Sequence, residues 1–426
     1  MTKVLVIGHV WPEPASSAAG SRMLALLACF ATRGWQLTFA SAADKTVHMA
    51  DLEALGIAAA NIALNCSSFD RFVATLQPDL VMFDRFMVEE QFAWRVEKNC
   101  PGAVRILDTE DLFTLRHARH QAVKQSGRIA TAVSPELLTT ETAKREIAAI
   151  LRCDLSLVTS EFEMQVLMEI FKVDPALLIY TPFLLKPLDG PQMASLPGFE
   201  ERRHFLSIGN FRHPPNWDGV LFLKQSLWPL IRRRLPAAEV LIYGAYPPKK
   251  ATQLSDPRQG FVVKGWADDA HRVMAEARVN LAPLRFGAGL KGKLADAMAC
   301  GTPSVTTTVG AEAMAGELPW PGAIADDPQG FADGAVDLYQ DGIRWHQCQQ
   351  AGFRVHNQRF DRHRHGAALV AAIASIRDNL EDHRRANFTG AMLRHHLLKS
   401  TMYLSQWIET KAAAEGNHHA DPGAGD

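Results

Sequence analysis

The residues with the clearest chemical content are Gly287-Ala-Gly289-Leu-Lys291-Gly-Lys293. A glycine turn ahead of a helix lets an anion come close to the backbone. The helix start supplies unpaired N–H groups and about half a positive charge. Lys291 and Lys293 bring two fixed cations to the same place. The combination suits a phosphate, and a tight turn with two solvated lysines accounts for it equally well. A second group, Asp108-Thr-Glu110-Asp111, follows an apolar run. Carboxylates at a strand end could reach sugar hydroxyls or act as a base, or they could cap the next helix. Capping explains one or two of the three.

The elements around these residues follow from pattern. Val279 to Leu284 and Pro303 to Thr307 predict strands. Between them, Leu290, Leu294, Ala297 and Met298 share a helical face, and Gly301 with Pro303 stops that helix. In the first half, Val4 to Ile7, a helix from about Arg22 to Thr32, and Leu37 to Ala40 form a βαβ opening. Leu80 to Phe83 and Val104 to Leu107 continue the sheet, and Asp154 to Glu161 holds a further strand, with Ser160 and Glu163 spaced as a capping box. The dinucleotide fingerprint is absent, because Gly8 and Gly20 lie too far apart. Pro182 to Arg203 is rich in Pro and Gly and predicts a linker. Strands then resume at Phe205–Ile208, Val240–Tyr243 and Val262–Lys264, with a helix over Val220–Leu235 and another over Met392–Thr410.

The chain has 426 residues, 47% of them hydrophobic, and a formal net charge of -1. That is enough for two domains with their own cores, and it gives no overall attraction to nucleic acid. No apolar run is long enough for a membrane span, and the N-terminus lacks the pattern of a signal peptide. The six cysteines are scattered, which fits a reduced cytoplasmic protein without a zinc site. No DxD motif or ligand cluster points to a metal, and Asp326-Asp327 before a proline predicts a turn or cap. No cofactor is expected.

Gly287 to Thr307, with Asp296 directly before Ala-Met-Ala, resembles the donor-site signature of GT-B glycosyltransferases of the GT4 type. Leu206-Ser-Ile-Gly209-Asn-Phe-Arg212-His-Pro-Pro-Asn216-Trp-Asp218 resembles the opening of that family's second domain. The resemblance implies an α/β chain with two Rossmann-like domains and a cleft between them. The domains would be an acceptor domain over 1–185, a linker over 186–203 and a nucleotide-sugar domain over 204–380. A helix over 381–411 would cross back to the first domain, and 412–426 would be a disordered tail. It implies a hexosyltransferase-type enzyme, retaining and metal-independent. The donor would be a UDP- or GDP-sugar and the acceptor a glycan, a lipid-linked glycan or a protein. The place would be cytoplasmic, with peripheral contact at the inner membrane face left open.

By the same resemblance Gly287, Gly289 and Lys291 hold the diphosphate, Arg212 is a second cation, and Gly209 and Leu290 belong to the donor-binding set. Asp296 takes the ribose hydroxyls, Glu312 lies in a donor-contacting loop, and Trp266 either stacks near the base or is a core tryptophan. Ser17, Gly20 and Arg22 sit in the cleft loop of the first domain, and Asp108, Glu110 and Asp111 are the catalytic candidates. Three departures stand out. Asp296 is shorter than the usual glutamate, Ala288 replaces the first acid of the family's pair, and Asn210 replaces a common arginine. They keep open a non-catalytic nucleotide-sugar binder, and a sugar-nucleotide epimerase shares the layout.

Overall fold

The computed structural model describes residues 1–131 and 134–418. Among the described residues thirteen strands form two sheets, each wholly parallel. In the first sheet the strands are β1 (Lys3–Gly8), β2 (Gln36–Ser41), β3 (Ala58–Asn61), β4 (Leu80–Asp84), β5 (Val104–Asp108), β6 (Leu155–Val158) and β7 (Leu178–Tyr180), in the order β3-β2-β1-β4-β5-β6-β7. The second contains β8 (Arg203–Ile208), β9 (Val240–Tyr243), β10 (Phe261–Gly265), β11 (Ala277–Ala282), β12 (Ser304–Thr306) and β13 (Gly322–Ile324), in the order β10-β9-β8-β11-β12-β13. Strands covered by helices on both faces are apolar over most of their length, which is why VLVI and LVMF run without alternation. Leu5, Val6, Val81, Phe83, Phe205 and Leu281 are fully buried accordingly.

Each sheet reverses its winding once, between β1 and β4 and between β8 and β11. Beyond the carboxyl ends of strands at such a reversal, the connections run to opposite faces and leave a crevice. The two crevices face each other, and the predicted site residues come largely from their rims.

The chain passes from one domain to the other twice. Leu185 N–H donates to the Phe360 carbonyl (2.8 Å), and Arg362 N–H donates back to the Leu185 carbonyl (3.0 Å). The return is earlier than expected. Helix Arg362–Asp378 already buries Leu369, Ile373 and Ile376 in the core beneath β1 and β5, so the second domain ends near 360 rather than 380. The apolar spacing of that helix looks the same whichever sheet it covers. Helix Phe388–His418 then packs on helices Phe86–Asn99 and Glu141–Arg152. Arg95 ties it down, donating to Ser405 (3.2 Å). The helix includes 412–418, part of the stretch expected to be disordered; 419–426 lie outside the described residues. The expected helix over Val220–Leu235 starts earlier, at Pro214, and contains a π-turn at Leu223–Leu227 ahead of Pro229, which has no N–H to give.

Candidate active site

The glycine turn follows β11 and abuts the first domain. Gly287 has φ +159° and Gly289 φ +60°. A Cβ on Gly289 would lie 2.9 Å from the Asp111 Cβ, so only glycine fits. Gly289 N–H donates to Glu163 Oε1 (2.8 Å), which also accepts from Leu112 N–H (2.8 Å). Burial, reinforced by Asp111, pushes the Glu163 carboxyl up to about 8. Arg119 donates to the Gly287 carbonyl (2.9 Å) and forks onto both Glu312 oxygens (2.8 and 2.6 Å). Glu312 is therefore half of an interdomain clasp. Leu290 packs among Phe183, Leu294 and Met314 and contributes apolar contact.

The two lysines differ. Lys291 is buried, and its Nζ donates to the Gly289 carbonyl (2.7 Å), bracing the turn from inside. Desolvation brings it down to about 8. Lys293, on the first turn of helix Gly292–Ala299, extends to the end of β8 and donates to Asn216 Oδ1 (2.8 Å). Among the described residues no carboxylate pairs with it, and desolvation alone lowers it to about 7. Gly209 leaves the room for it, since a Cβ there would come within 2.7 Å of Lys293 Nζ. Lys293 is thus the available cation, although Lys291 carries the predicted role.

The other predicted residues of the second domain are dispersed along the rim. Arg212 is exposed, its guanidinium 3.6 Å above the Tyr246 ring. Tyr246 in turn donates to Glu13 of the first domain (2.9 Å). Trp266 stacks on His48 at 4.2 Å, so the face expected near a base is covered by the first domain. Asp296 lies 3.6 Å from His271, which its carboxylate pushes up. Asp326 accepts from Thr308, and Asp327 caps helix Pro328–Gln340, as the turn-or-cap expectation had it.

The first-domain candidates divide. Arg22, expected in the cleft loop, is instead fully buried and donates to Asp108 Oδ1 (2.8 Å). Helix Ala18–Ala31 begins one turn earlier than expected, and position 22 lies on its buried face, one turn before Leu26 and two before Phe30. Asp108 is fully buried, and its Oδ2 has no hydrogen-bond partner among the described residues. Ser17 caps the helix by accepting from Gly20 N–H (3.1 Å), and Gly20 sits where a Cβ would meet the Glu13 backbone at 2.4 Å. All four residues shape the wall. Asp111 pairs with Arg116 (2.8 Å). Glu110 is different. It has φ +60°, is half-buried at the crevice, and is pushed up to about 8 by desolvation and then by Asp108.

Around Glu110 the crevice is lined by residues that the sequence left without roles. His9 follows β1 and donates its N–H to Asp84 Oδ2 (3.0 Å). Arg85 stands alone between β4 and helix Phe86–Asn99. His213 is exposed, yet desolvation, with Arg116, Lys293 and Arg85 acting in the same sense, brings it down to about 4. A ring that touches solvent but is surrounded by protein and cations lines a cleft. Lys293 was marked in the sequence as the second cation of the glycine turn, though the donor-binding role went to Lys291. His213 gave no signal beyond lying in the loop after β8.

Comparison with known proteins accords with this geometry. Sucrose-phosphate synthase from Thermosynechococcus elongatus superposes with a TM-score of 0.63 at 14% identity, covering 88% of this chain and 99% of that one. Anabaena HepE, solved in complex with UDP, gives a TM-score of 0.64 at 12% identity, covering 88% and 100%. TarM from S. aureus gives 0.54 at 12%, covering 71% and 57%. At such identities the likeness establishes the fold. Two Rossmann-like domains facing across a cleft make this a GT-B chain. Residues 202–341, from β8 through helix Pro328–Gln340, match the model of the family described as glycosyl transferases group 1. No curated protein sequence matches the chain.

Proposed function

We propose that the chain is a glycosyltransferase that uses a nucleotide-sugar donor at the interdomain cleft. The observation that carries the reading is Lys293, an amine with no carboxylate partner among the described residues, at the mouth of the second sheet's crevice and within the segment that matches the family. A departing nucleoside diphosphate needs its charge neutralised. Lys293 and the amides opening helix Gly292–Ala299 are placed to do that, with Lys291 fixing the turn. Asp296 is the diol acceptor for the ribose, since a carboxylate accepts two hydrogen bonds. HepE has been solved with UDP-glucose, which supports a uridine donor; GDP is the other candidate. Retention, hexosyl transfer and metal independence are part of the same reading.

Glu110 is the group on the first domain best placed to act on the acceptor. With its carboxyl at about 8 it holds a proton at neutral pH and accepts one above that. The acceptor is a glycan, a lipid-linked glycan or a protein glycan. Contact with a lipid surface is supported by the outer face of helix Phe388–His418. There Tyr403 (63% exposed) and Trp407 (61%) lie with Leu404, Lys399 and Lys411. Aromatic and basic residues together suit an anionic interface.

The test is turnover of UDP- and GDP-sugars by the purified chain, beside Lys293→Ala and Asp296→Ala. Both changes should abolish product and weaken donor binding. Turnover unaffected by either would remove the assigned site. Donor binding without product for any acceptor would favour the non-catalytic binder, and a new nucleotide sugar formed from donor alone would favour the epimerase.

A further inference from the structure

We infer that the junction of β4 with helix Phe86–Asn99 is an anion-binding elbow, with Arg85 as its side chain. Three observations converge on it. Strand and helix meet with a single residue between them, and that residue has φ 75° and ψ 158°. This region of backbone space is essentially reserved for glycine. The Arg85 N–H donates to the Asp108 carbonyl (2.8 Å), so the β4–β5 ladder holds the turn in place. A sharp strand-to-helix turn of this kind lifts one side chain above the end of a sheet and aims it into the crevice. Here the side chain is a guanidinium, and a glycine would have formed the same turn without strain.

The guanidinium has capacity left for a ligand. Among the described residues it makes no hydrogen bond, and its ion pair, to Asp84, is long at 3.7 Å. Asp84 Oδ1, on that side, is buried and also lacks a hydrogen-bond partner. No side chain caps helix Phe86–Asn99, so its first amides add to the positive end. Of the other neighbouring acids, Asp111 pairs with Arg116 and Asp108 gives one oxygen to Arg22, while Asp108 Oδ2, like Asp84 Oδ1, has no hydrogen-bond partner among the described residues. Glu110 is held mostly protonated at neutral pH. Across the crevice stand His213 and Lys293, neither of them anionic.

The ligand is an oxyanion of phosphate or carboxylate type. It has two sources: the diphosphate of the donor, or an acidic group on the acceptor. This assignment rests on the glycosyl-transfer reading only for the source.

The experiment compares the full chain with Arg85→Gly and Arg85→Gln in three measurements: thermal unfolding, calorimetric titration with UDP, and titration of the UDP-saturated chain with inorganic phosphate. Arg85→Gly should unfold at a higher temperature than the parent, because glycine relieves the backbone. Arg85→Gln retains the strain without the charge and separates the two effects. If the donor supplies the anion, both variants bind UDP at least tenfold more weakly. If the acceptor supplies it, UDP binding is unchanged and phosphate binding to the saturated chain is lost in both. Parent and variants binding UDP and phosphate alike would overturn the inference, as would a parent that binds no phosphate while its UDP affinity survives both changes. Should the parent bind no nucleotide, the donor reading falls, and phosphate titration of the nucleotide-free chain still decides whether Arg85 binds anions.

Discussion

Lys293 and Glu110 are charged groups kept near neutrality by their surroundings, and both should reveal themselves through pH. Lys293 lies at about 7 in the free chain, against 10.5 for an ordinary lysine. A bound diphosphate favours its charged form. At about pH 8, where the free side chain is mostly neutral, nucleotide binding should take up a proton. At about pH 6, where it is already charged, Lys293 should contribute no uptake. Calorimetry in buffers of different ionisation heat measures this, and Lys293→Ala should abolish the difference. Glu110 has its folded value raised to about 8 from 4.5. The folded chain therefore holds a proton that the unfolded chain releases in that window. Its contribution to stability is complete below about 4.5 and lost as pH rises through about 8. If the ionised form accepts the acceptor's proton, kcat should rise through the same range. Glu110→Gln should flatten that limb and lower kcat by about a hundredfold, within the usual worth of general base catalysis.

At the scale of elements, the glycines decide where cations can go. Gly209→Ala would place a methyl within 2.7 Å of Lys293 Nζ and of Asn216 Nδ2. The ammonium must move, so nucleotide affinity should fall about tenfold, equivalent to ~1.4 kcal/mol, with little change in thermal stability. A change in stability without a change in affinity would mean that Gly209 matters only for packing. Gly209 and Gly289 were legible in the sequence as parts of two recurring patterns, and so were the strands that lead to them, because a doubly covered strand is largely apolar. Arg22 was not. Its side chain lies on the buried face of helix Ala18–Ala31, and the carboxylate that receives it there, Asp108, is 86 residues away, a pairing no local spacing announces. Trp266 shows a different limit: its partner His48 lies in the other domain, and no local pattern announces a contact across a cleft. The return of the chain at 360 was hidden for a related reason. Hydrophobic spacing says that a helix covers something, without saying which sheet.

For the molecule as a whole, the two domains meet on opposite rims of one cleft. Arg119 clasps Glu312 and the Gly287 carbonyl on one side, and Tyr246 and Trp266 meet Glu13 and His48 on the other. The Arg119 guanidinium is fully buried, so leaving it unpaired in Glu312→Gln should cost about 3–5 kcal/mol. Denaturant titration would check this, and a loss well under that range would mean that the clasp opens to water. Both sheets present their winding reversal to the same cleft, so a ligand spanning it touches Lys293 on one domain and the Glu110 crevice on the other. That placement is the central claim, and the most direct measurement of it is a crystal structure of the chain soaked with UDP or GDP. The account predicts the diphosphate at Lys293, beside Gly209 and the first amides of helix Gly292–Ala299, with the ribose hydroxyls on Asp296. Nucleotide density elsewhere, with Lys293 still bonded only to Asn216, would contradict it.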